Sequence, residues 1–310
     1  MDTVAGKENT AKVDTEYQQT IDALKEYMAE SGKNQAQIVK ELGFSSALVS
    51  SFLSGKYVSP HTQIPKIMAY IEVNRKKKAA PTAPDFAETS LSRLMEASMA
   101  YAHVQGLETV IYGDAGVGKT TAAKAYVERE RLATYIVARP DCSGYTGVMW
   151  LVAKAFGIRE RITRNVTDAF IERMQGSGRV LIVDEAQFLN NSALNQLRTL
   201  SDLCGIGLVL LGNESLHDKT LGKGVKDMDQ LKSRVCIPVH VRKEDITYED
   251  IQSVFGGYDI GEDIMKLLYG VSSQHSGLRS AVYVYIQTAA SEAGITAKEM
   301  ARVIRFLNMV

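Results

Sequence analysis

The sequence predicts an α/β protein in which a parallel-sheet domain lies between two all-helical regions. Five short apolar runs alternate with helical segments from about residue 88 to residue 242, a pattern typical of strands buried on both faces of a parallel sheet. Before residue 72 and after residue 242, apolar residues recur only at helical spacing. The 310 residues are enough for two or three domains.

Composition narrows the class of protein. Lys and Arg number 36, and so do Asp and Glu, so the net charge is zero and a histone-like protein is excluded, although local basic patches are not. The hydrophobic fraction of 45% excludes a wholly disordered chain. Three scattered cysteines, without zinc spacing, indicate a reducing compartment: Cys142, Cys204 and Cys236. We find no signal peptide and no membrane-spanning run, so we expect a cytoplasmic protein with no membrane partner.

The first region combines a polar segment with a dense helical pattern. Residues 1–15 are expected to form a flexible tail, and residues 16–72 a helical domain. Within that domain, residues 34–55 resemble a phage-repressor-type helix-turn-helix with a tight turn at Gly43, packed through Ile38, Leu42, Val49 and Phe52. The second helix exposes small, mostly hydroxylic residues that do not read bases by bidentate contacts. We therefore expect phosphate contacts with weak sequence preference, and the alternative is a small protein-interaction domain.

Candidate DNA contacts occur in two regions. In the helical domain they are Lys33, Gln35, Ser46, Ser50 and Lys56. In the α/β domain they follow the second strand or lie in a loop between two helices: Arg139, Arg159, Arg161 and Arg164. Because Glu160 dilutes the charge of that loop, a solvated surface loop is the competing interpretation.

A basic run followed by Ala and Pro repeats separates the first two domains. Its composition is typical of a linker, which we place over residues 73–87. The run itself is either a solvated tether or an arm that contacts phosphates.

The α/β domain is expected over residues 88–242. Its predicted strands are Leu107–Tyr112, Thr134–Ala138, Val180–Val183, Leu208–Leu211 and Val235–Val239. The helices between them are expected at Thr120–Arg131, Gly147–Phe156, Thr167–Met174 and Ser192–Cys204. A small helical subdomain over residues 243–310 should contain Thr247–Val254, Glu262–Gln274, Leu278–Glu292 and a fourth helix from Ala297.

A glycine-rich motif follows the first predicted strand. Residues Gly113–Thr120 match GxxxxGK[ST] in full, between a strand and a helix as the motif requires. Glycines let backbone N–H groups turn inward around a phosphate, and the helix N-terminus adds its positive dipole end. Lys119 is expected to reach the β- and γ-phosphates, and the Thr120 hydroxyl to ligate Mg²⁺. The predicted nucleotide-binding residues are Gly113, Asp114, Ala115, Gly116, Val117, Gly118, Lys119, Thr120 and Thr121.

Polar residues that end later strands complete the predicted catalytic set. Asp184 and Glu185 follow a buried strand, so Asp184 is expected to hold Mg²⁺ through water and Glu185 to act as general base. Asn213 ends the next strand and either orients the lytic water or serves as a turn residue. Arg279 in cis and Arg234 across a subunit interface are candidates for neutralising the charge of the γ-phosphate. The competing interpretation is that each is an ordinary surface arginine.

The order of these parts resembles the AAA+ ATPases, and within them the bacteriophage Mu B family of target-DNA activators and other transposition helper ATPases. The resemblance covers about residues 16–306. It depends on Gly113–Thr120, Val180–Ala186, Leu194–Leu200, Gly207–Asn213 and Gly277–Arg279. It implies a helix-turn-helix domain, an AAA+ domain with a P-loop and parallel sheet, and an all-helical C-terminal lid.

The resemblance also implies a function. An ATPase of this family would use ATP to oligomerise, as a helical filament or ring, on double-stranded DNA with little sequence preference. It would recruit and stimulate a transposase and disassemble when ATP is hydrolysed. Two alternatives stay open: a nucleotide-switched helix-turn-helix transcription regulator, and an ATPase that loads a replicative helicase.

Overall fold

The computed structural model describes residues 2–160, 163–221 and 238–309, and it divides the chain into two compact units. The units are Met1–Pro81 and Thr82–Val310. The division falls inside the segment predicted as a linker. Across the described residues, no helix combines the length and the apolar character that crossing a membrane requires.

The first unit is built from four helices. They are α1 (Asp2–Ser31), α2 (Gln35–Leu42), α3 (Ser46–Leu53) and α4 (Ile64–Ala79). Helix α2 begins with a reciprocal cap between Asn34 and Gln37, and it ends at Gly43, whose φ of 68° allows the tight turn into α3. The hydroxyl of Tyr17 donates to the carbonyl of Phe52 at 3.0 Å, which ties α1 to α3 inside the core.

Two segments of this unit differ from the sequence prediction. Helix α1 already begins at Asp2, so the segment expected to be a flexible tail is helical in the structure. The basic run lies on the last turns of α4 rather than in a linker. Contacts with another helix accompany this difference, since the Arg75 guanidinium binds the carboxylates of Glu26 at 2.9 Å and Glu30 at 2.8 Å on α1.

The second unit contains a five-stranded parallel sheet, as predicted. In chain order the strands are β1 (Glu108–Gly113), β2 (Ala133–Val137), β3 (Val180–Asp184), β4 (Gly207–Gly212) and β5 (Val239–Val241). Their order across the sheet is β2-β3-β4-β1-β5. The last strand was predicted at Val235–Val239, whereas it lies at Val239–Val241, and residues 235–237 are outside the described residues together with Cys236.

Helices cover both faces of this sheet. Along the chain they are α5 (Ser90–Gln105), α6 (Lys119–Arg129), α7 (Tyr145–Ala155), α8 (Thr163–Met174), α9 (Asn191–Cys204), α10 (Glu214–Thr220), α11 (Tyr248–Phe255), α12 (Glu262–Gln274), α13 (Gly277–Ala289) and α14 (Ala297–Phe306). Neither α5 nor α10 was predicted. The sequence did predict four C-terminal helices, and α11–α14 lie within about three residues of the expected bounds.

The sheet has a hydrophobic core on each of its two faces, and alternate residues of each strand point into one core or the other. Val110, on one face of β1, packs with α7, α8 and α9, whereas its neighbour Ile111 packs with α5, α6 and the C-terminal helices. The C-terminal helices therefore share one core with the sheet. Cys142 and Cys204 are buried in the other core as free thiols, consistent with the interpretation of their scattered positions.

A buried ion pair fixes helix α9 to the start of β1. Arg198 and Glu108 are 3% and 6% exposed, and the guanidinium donates to both carboxylate oxygens at 2.9 Å. Arg198 belongs to the Leu-x-x-Leu-Arg-x-Leu segment singled out in the sequence. Its partner lies at the amino edge of the sheet, so this contact is structural and opposite to the edge where the candidate catalytic residues collect.

Candidate active site

A cavity of about 430 Å³ opens at the carboxyl edge of the sheet in the second unit. The loop after β1, the ends of β3 and β4, and the C-terminal helices α11 and α13 all contribute to its walls. Open parallel sheets bind ligands at this edge because the loops that follow the strands converge there. The cavity therefore gathers most of the residues predicted to bind nucleotide.

Positive backbone angles shape the glycine-rich loop. Gly113, Gly116 and Gly118 have φ values of 132°, 80° and 100°, a region that side chains other than glycine rarely adopt. A Cβ atom on Gly113 would collide with the carbonyl oxygen of Val241, and one on Gly116 with that of Ser276. The glycines are thus required both by the turn and by neighbouring backbone. Helix α6 then begins at Lys119, so its free N–H groups face the cavity.

Lys119 is folded back on the loop that precedes it. Its ammonium donates to the carbonyl oxygens of Gly113 at 2.8 Å and Asp114 at 2.5 Å. Burial lowers the pKa of Lys119, and the nearby carboxylate of Asp184 opposes that shift. A cation held in a largely buried loop by carbonyls alone is well suited to receive phosphate oxygens.

The two predicted magnesium residues meet directly. Asp184 is buried, and its Oδ2 accepts from the hydroxyl of Thr120 at 2.6 Å and from that of Tyr135 at 2.7 Å. Burial and this hydrogen bond raise the pKa of Tyr135 above the ordinary value, so Tyr135 remains a donor. Mg²⁺ bound next to phosphates prefers oxygen ligands such as these. Here a carboxylate lies beside a threonine hydroxyl in the first turn of the helix that follows the glycine-rich loop.

Glu185 has an unusual backbone at the end of β3. Its φ of 55° places a non-glycine residue in the left-handed region. The carboxylate borders the cavity, and its Oε2 accepts from the side-chain amide of Gln187 at 2.5 Å. The side chain predicted as general base is therefore aimed into the cavity and held by a neighbour that the sequence did not single out.

Asn213 borders the cavity and also caps the helix that follows it. Its Oδ1 accepts from the backbone N–H of Ser215 at 3.0 Å and from the Ser215 hydroxyl at 2.7 Å, which caps helix α10. The oxygen is thus engaged by the turn, which was the competing interpretation, while the residue stays at the cavity wall.

Arg279 approaches the glycine-rich loop from helix α13. Its backbone N–H donates to the carbonyl of Gly116 at 3.1 Å, and the residue lines the cavity. The other predicted arginine, Arg234, lies outside the described residues. The structure thus unites Lys119, Thr120, Asp184, Glu185, Asn213 and Arg279 around one cavity.

Comparisons with known proteins agree with this geometry. A family model described as an AAA domain matches residues 105–220. The Mu-like prophage FluMu DNA transposition protein B of Haemophilus influenzae is 28% identical over 276 residues, covering 86% of this chain and 94% of that protein. The ATP-dependent target DNA activators B of Escherichia phages Mu and D108 are each 27% identical over 248 residues, covering 78% of this chain and 79% of theirs. These similarities support the Mu B family for this chain.

An AAA domain with these relatives makes the chain an ATPase, as the sequence predicted. Among solved structures, the Thermotoga maritima RuvB Holliday junction branch migration motor is similar at 15% identity and a TM-score of 0.47, covering 72% of this chain and 70% of that one.

One wall of the cavity was missed in the sequence. Residues 83–87, expected to be linker, line it together with the apolar side chains of Val254, Leu278 and Val282. Helix α5 starts just after this segment, and the hydroxyl of Ser90 donates to Asp250 of α11 at 2.7 Å. This contact holds the segment at the cavity. An apolar wall in the same cavity as the phosphate-binding loop suits a nucleobase.

The candidate DNA contacts fall into three groups. Lys33 is engaged inside its own unit, where its ammonium binds Glu41 at 2.7 Å and the Tyr27 hydroxyl at 3.1 Å. Arg139 pairs with Asp141 at 3.0 Å and lies 5.8 Å from the ring of Trp150. Arg161 is outside the described residues. Gln35 is half-buried. The remaining candidates are exposed: Ser46, Ser50, Lys56, Arg159 and Arg164.

Proposed function

We propose that this chain is an ATP-dependent helper of DNA transposition. It assembles on double-stranded DNA with little sequence preference, recruits and stimulates a transposase, and comes apart when ATP is hydrolysed. The observation that carries the proposal is the single cavity that unites the glycine-rich loop, the Asp184–Glu185 pair and Arg279 in a chain related to target DNA activators.

Each cavity residue receives a role from its position. The loop N–H groups and the Lys119 ammonium bind the phosphates, and Glu185 polarises the attacking water. Thr120 and Asp184 would hold Mg²⁺, which supplies neutralisation of phosphate charge. Asn213 helps to orient the water through its amide nitrogen, because its oxygen is engaged as a helix cap.

Arginines connect hydrolysis to assembly. Arg279 neutralises the charge of the γ-phosphate in cis. Arg234 of a neighbouring subunit neutralises the charge of the same phosphate in trans. Because Arg279 also bonds the glycine-rich loop through its backbone, nucleotide in the cavity acts on helix α13 directly. Loss of the γ-phosphate removes the anion that both arginines bind, and this loosens the subunit boundary.

DNA binding is assigned to exposed cations rather than to base-reading side chains. Lys56, Arg159 and Arg164 are exposed, and the exposed residues of α3 are the small Ser46, Ala47 and Ser50. Contacts of this kind attract phosphates without reading sequence, and each is weak in salt. Oligomerisation multiplies them, so many subunits hold one duplex although the net charge of each chain is zero.

Electron microscopy with random-sequence duplex DNA tests the proposal. Purified protein is imaged with ATP, with ADP and without nucleotide, and the Lys119→Ala variant serves as the control for nucleotide dependence. Continuous assemblies along the DNA only with ATP are expected. Isolated particles at a few sites, or assemblies indifferent to nucleotide, would instead favour the transcription regulator or the helicase loader.

An assay of strand transfer by a transposase completes this test. Strand transfer by a transposase of the same mobile element is measured with and without the protein, at equal target DNA. Stimulation that needs ATP and Lys119 is expected. If assemblies form but transfer is unchanged, the proposed role in transposition is wrong, whereas the assignment of the ATP site stands.

A further inference from the structure

The residue that touches the carboxylate of Glu185 is Gln187, on the short turn that follows β3. The turn spans Ala186–Phe188, and the amide nitrogen of Gln187 donates to Glu185 Oε2 at 2.5 Å. Both side chains line the cavity. A hydrogen bond to an ionised oxygen is among the stronger contacts in proteins, so this one fixes a side chain that otherwise has three free torsions.

The rest of Gln187 is held just as closely. Its backbone carbonyl accepts from the Lys219 ammonium of helix α10 at 2.5 Å. Its Oε1 is buried and has no hydrogen-bond partner among the described residues. A Cβ atom on Gly212, at the end of β4, would lie 2.7 Å from that oxygen. Glycine at position 212 therefore leaves the room that the Gln187 amide occupies.

The orientation of the amide explains which oxygen of Glu185 is available. The nitrogen end must point at Glu185, since a carbonyl oxygen facing a carboxylate would repel it. One oxygen of Glu185 is thereby engaged, and the other is left to accept a proton from water. A general base is effective only when its free oxygen lies within hydrogen-bond reach of that proton.

We propose that Gln187 is a positioning residue for ATP hydrolysis: it holds one carboxylate oxygen of Glu185 so that the other faces the attacking water. Gln187 does not touch the nucleotide phosphates in this role and acts only through Glu185. The inference rests on the proposed role of Glu185 as general base.

Steady-state ATPase kinetics of the Gln187→Leu variant provide the first test. Leucine keeps most of the volume but donates no hydrogen bond, so kcat should fall about 10- to 100-fold, as expected when a catalytic group loses its alignment. The KM for ATP should stay within about twofold because the phosphate-binding loop is intact. A kcat within twofold of the wild type would overturn the inference.

The Gln187→Glu variant gives a readout that a purely structural role does not produce. Glutamate has nearly the same size and shape, so the packing of the turn is kept, but a carboxylate oxygen now faces Glu185 where the amide donated. We therefore expect kcat to fall by about 10-fold or more while the KM for ATP stays within about twofold, which a change of packing does not explain. A kcat within twofold of the wild type contradicts the proposal.

Two controls separate the possible failures. Binding of a fluorescent ATP analogue shows whether each variant is folded, and if the leucine variant does not bind, the near-isosteric glutamate variant carries the test. Glu185→Gln is measured in parallel. If it hydrolyses ATP normally, the general-base assignment is wrong. If it stalls while both Gln187 variants behave as the wild type, only the positioning role is wrong.

Discussion

The backbone N–H of Arg279 donates to the carbonyl of Gly116 at 3.1 Å, so helix α13 is joined directly to the glycine-rich loop. Gly277, at the start of that helix, has a φ of 60°, and a Cβ atom there would lie 2.9 Å from the Gly116 carbonyl. Two glycines therefore permit this close approach. This hydrogen bond links the glycine-rich loop directly to the backbone of Arg279.

Gly116→Ala should separate these two elements. The added methyl would collide with the carbonyl of Ser276 and lie 2.9 Å from the Cβ of Arg279, and φ at position 116 is unfavourable for alanine. We expect ATP affinity to fall at least about tenfold, which corresponds to about 1.4 kcal/mol. Titration with a fluorescent ATP analogue measures the change. Gly257→Ala is the matched control, because position 257 has open space around it, and it should bind as the wild type.

Lys119→Ala should abolish nucleotide-dependent assembly. The variant lacks the ammonium that is held at the centre of the loop by Gly113 and Asp114. Sedimentation with duplex DNA, with and without ATP, measures the effect. Lys124→Ala on the exposed face of the same helix is the control and should assemble normally. Oligomers that still form in response to ATP in the Lys119 variant would refute the assignment of the phosphate-binding loop.

Glu185→Gln should retain ATP binding but stall turnover. The amide cannot accept the proton of the attacking water, and a general base contributes roughly 10²–10⁴ to a rate. Oligomers on DNA should consequently persist after ATP is added, where those of the wild type decay. Time-resolved light scattering follows both. The exposed Glu128→Gln variant is the control. Rapid hydrolysis by the Glu185 variant would mean that another group activates the water.

Removing one partner of the buried Arg198–Glu108 pair should destabilise the second unit. Arg198→Met leaves a buried carboxylate without its bidentate partner, at a cost of about 3–5 kcal/mol. Urea unfolding measures the loss. The double variant with Glu108→Met should recover most of it, because neither charge is then buried. Equal stabilities of the single and double variants would show that the loss does not come from an unpaired buried charge.

The single tryptophan of the chain reports on the candidate DNA contacts near it. Trp150 is 50% exposed, and Arg139 and Lys154 lie 5.8 Å and 5.3 Å from its ring. If Arg139 binds a phosphate, this cation–π pair is rearranged, and the emission of Trp150 should change when duplex DNA is added. High salt should reverse the change. An unchanged spectrum under conditions where anisotropy shows DNA binding would place the contacts elsewhere.

Local signals explain what the sequence could predict. The P-loop motif, the apolar run before Asp184 and Glu185, and the short apolar runs that predict the strands are all features of consecutive residues. The parallel sheet and the ATPase activity that they predict are confirmed. The start of α14 at Ala297 agrees with the prediction, and the structure shows that the side chain of Thr296 caps this helix.

Features that depend on the packing of distant segments were missed. Tyr135 meets Asp184 only because β2 and β3 are neighbours in the sheet. Residues 83–87 have the composition of a linker, yet they form a wall of the cavity because α5 is fixed to α11. Lys33 is engaged by Glu41, eight positions along the chain, which composition does not reveal.

The shared core of the sheet and the C-terminal helices bears on how this chain can be divided. Phe255, Leu268 and Val284 are fully buried in the same cluster as Ile111 of β1 and Val241 of β5. A fragment ending at residue 242 would expose to water the part of this core that the C-terminal helices cover, at roughly 25 cal/mol for each Å² of apolar surface. The catalytic residues and the C-terminal helices thus form one cooperative folding unit, and a truncated ATPase domain would not be a usable substitute for the whole second unit.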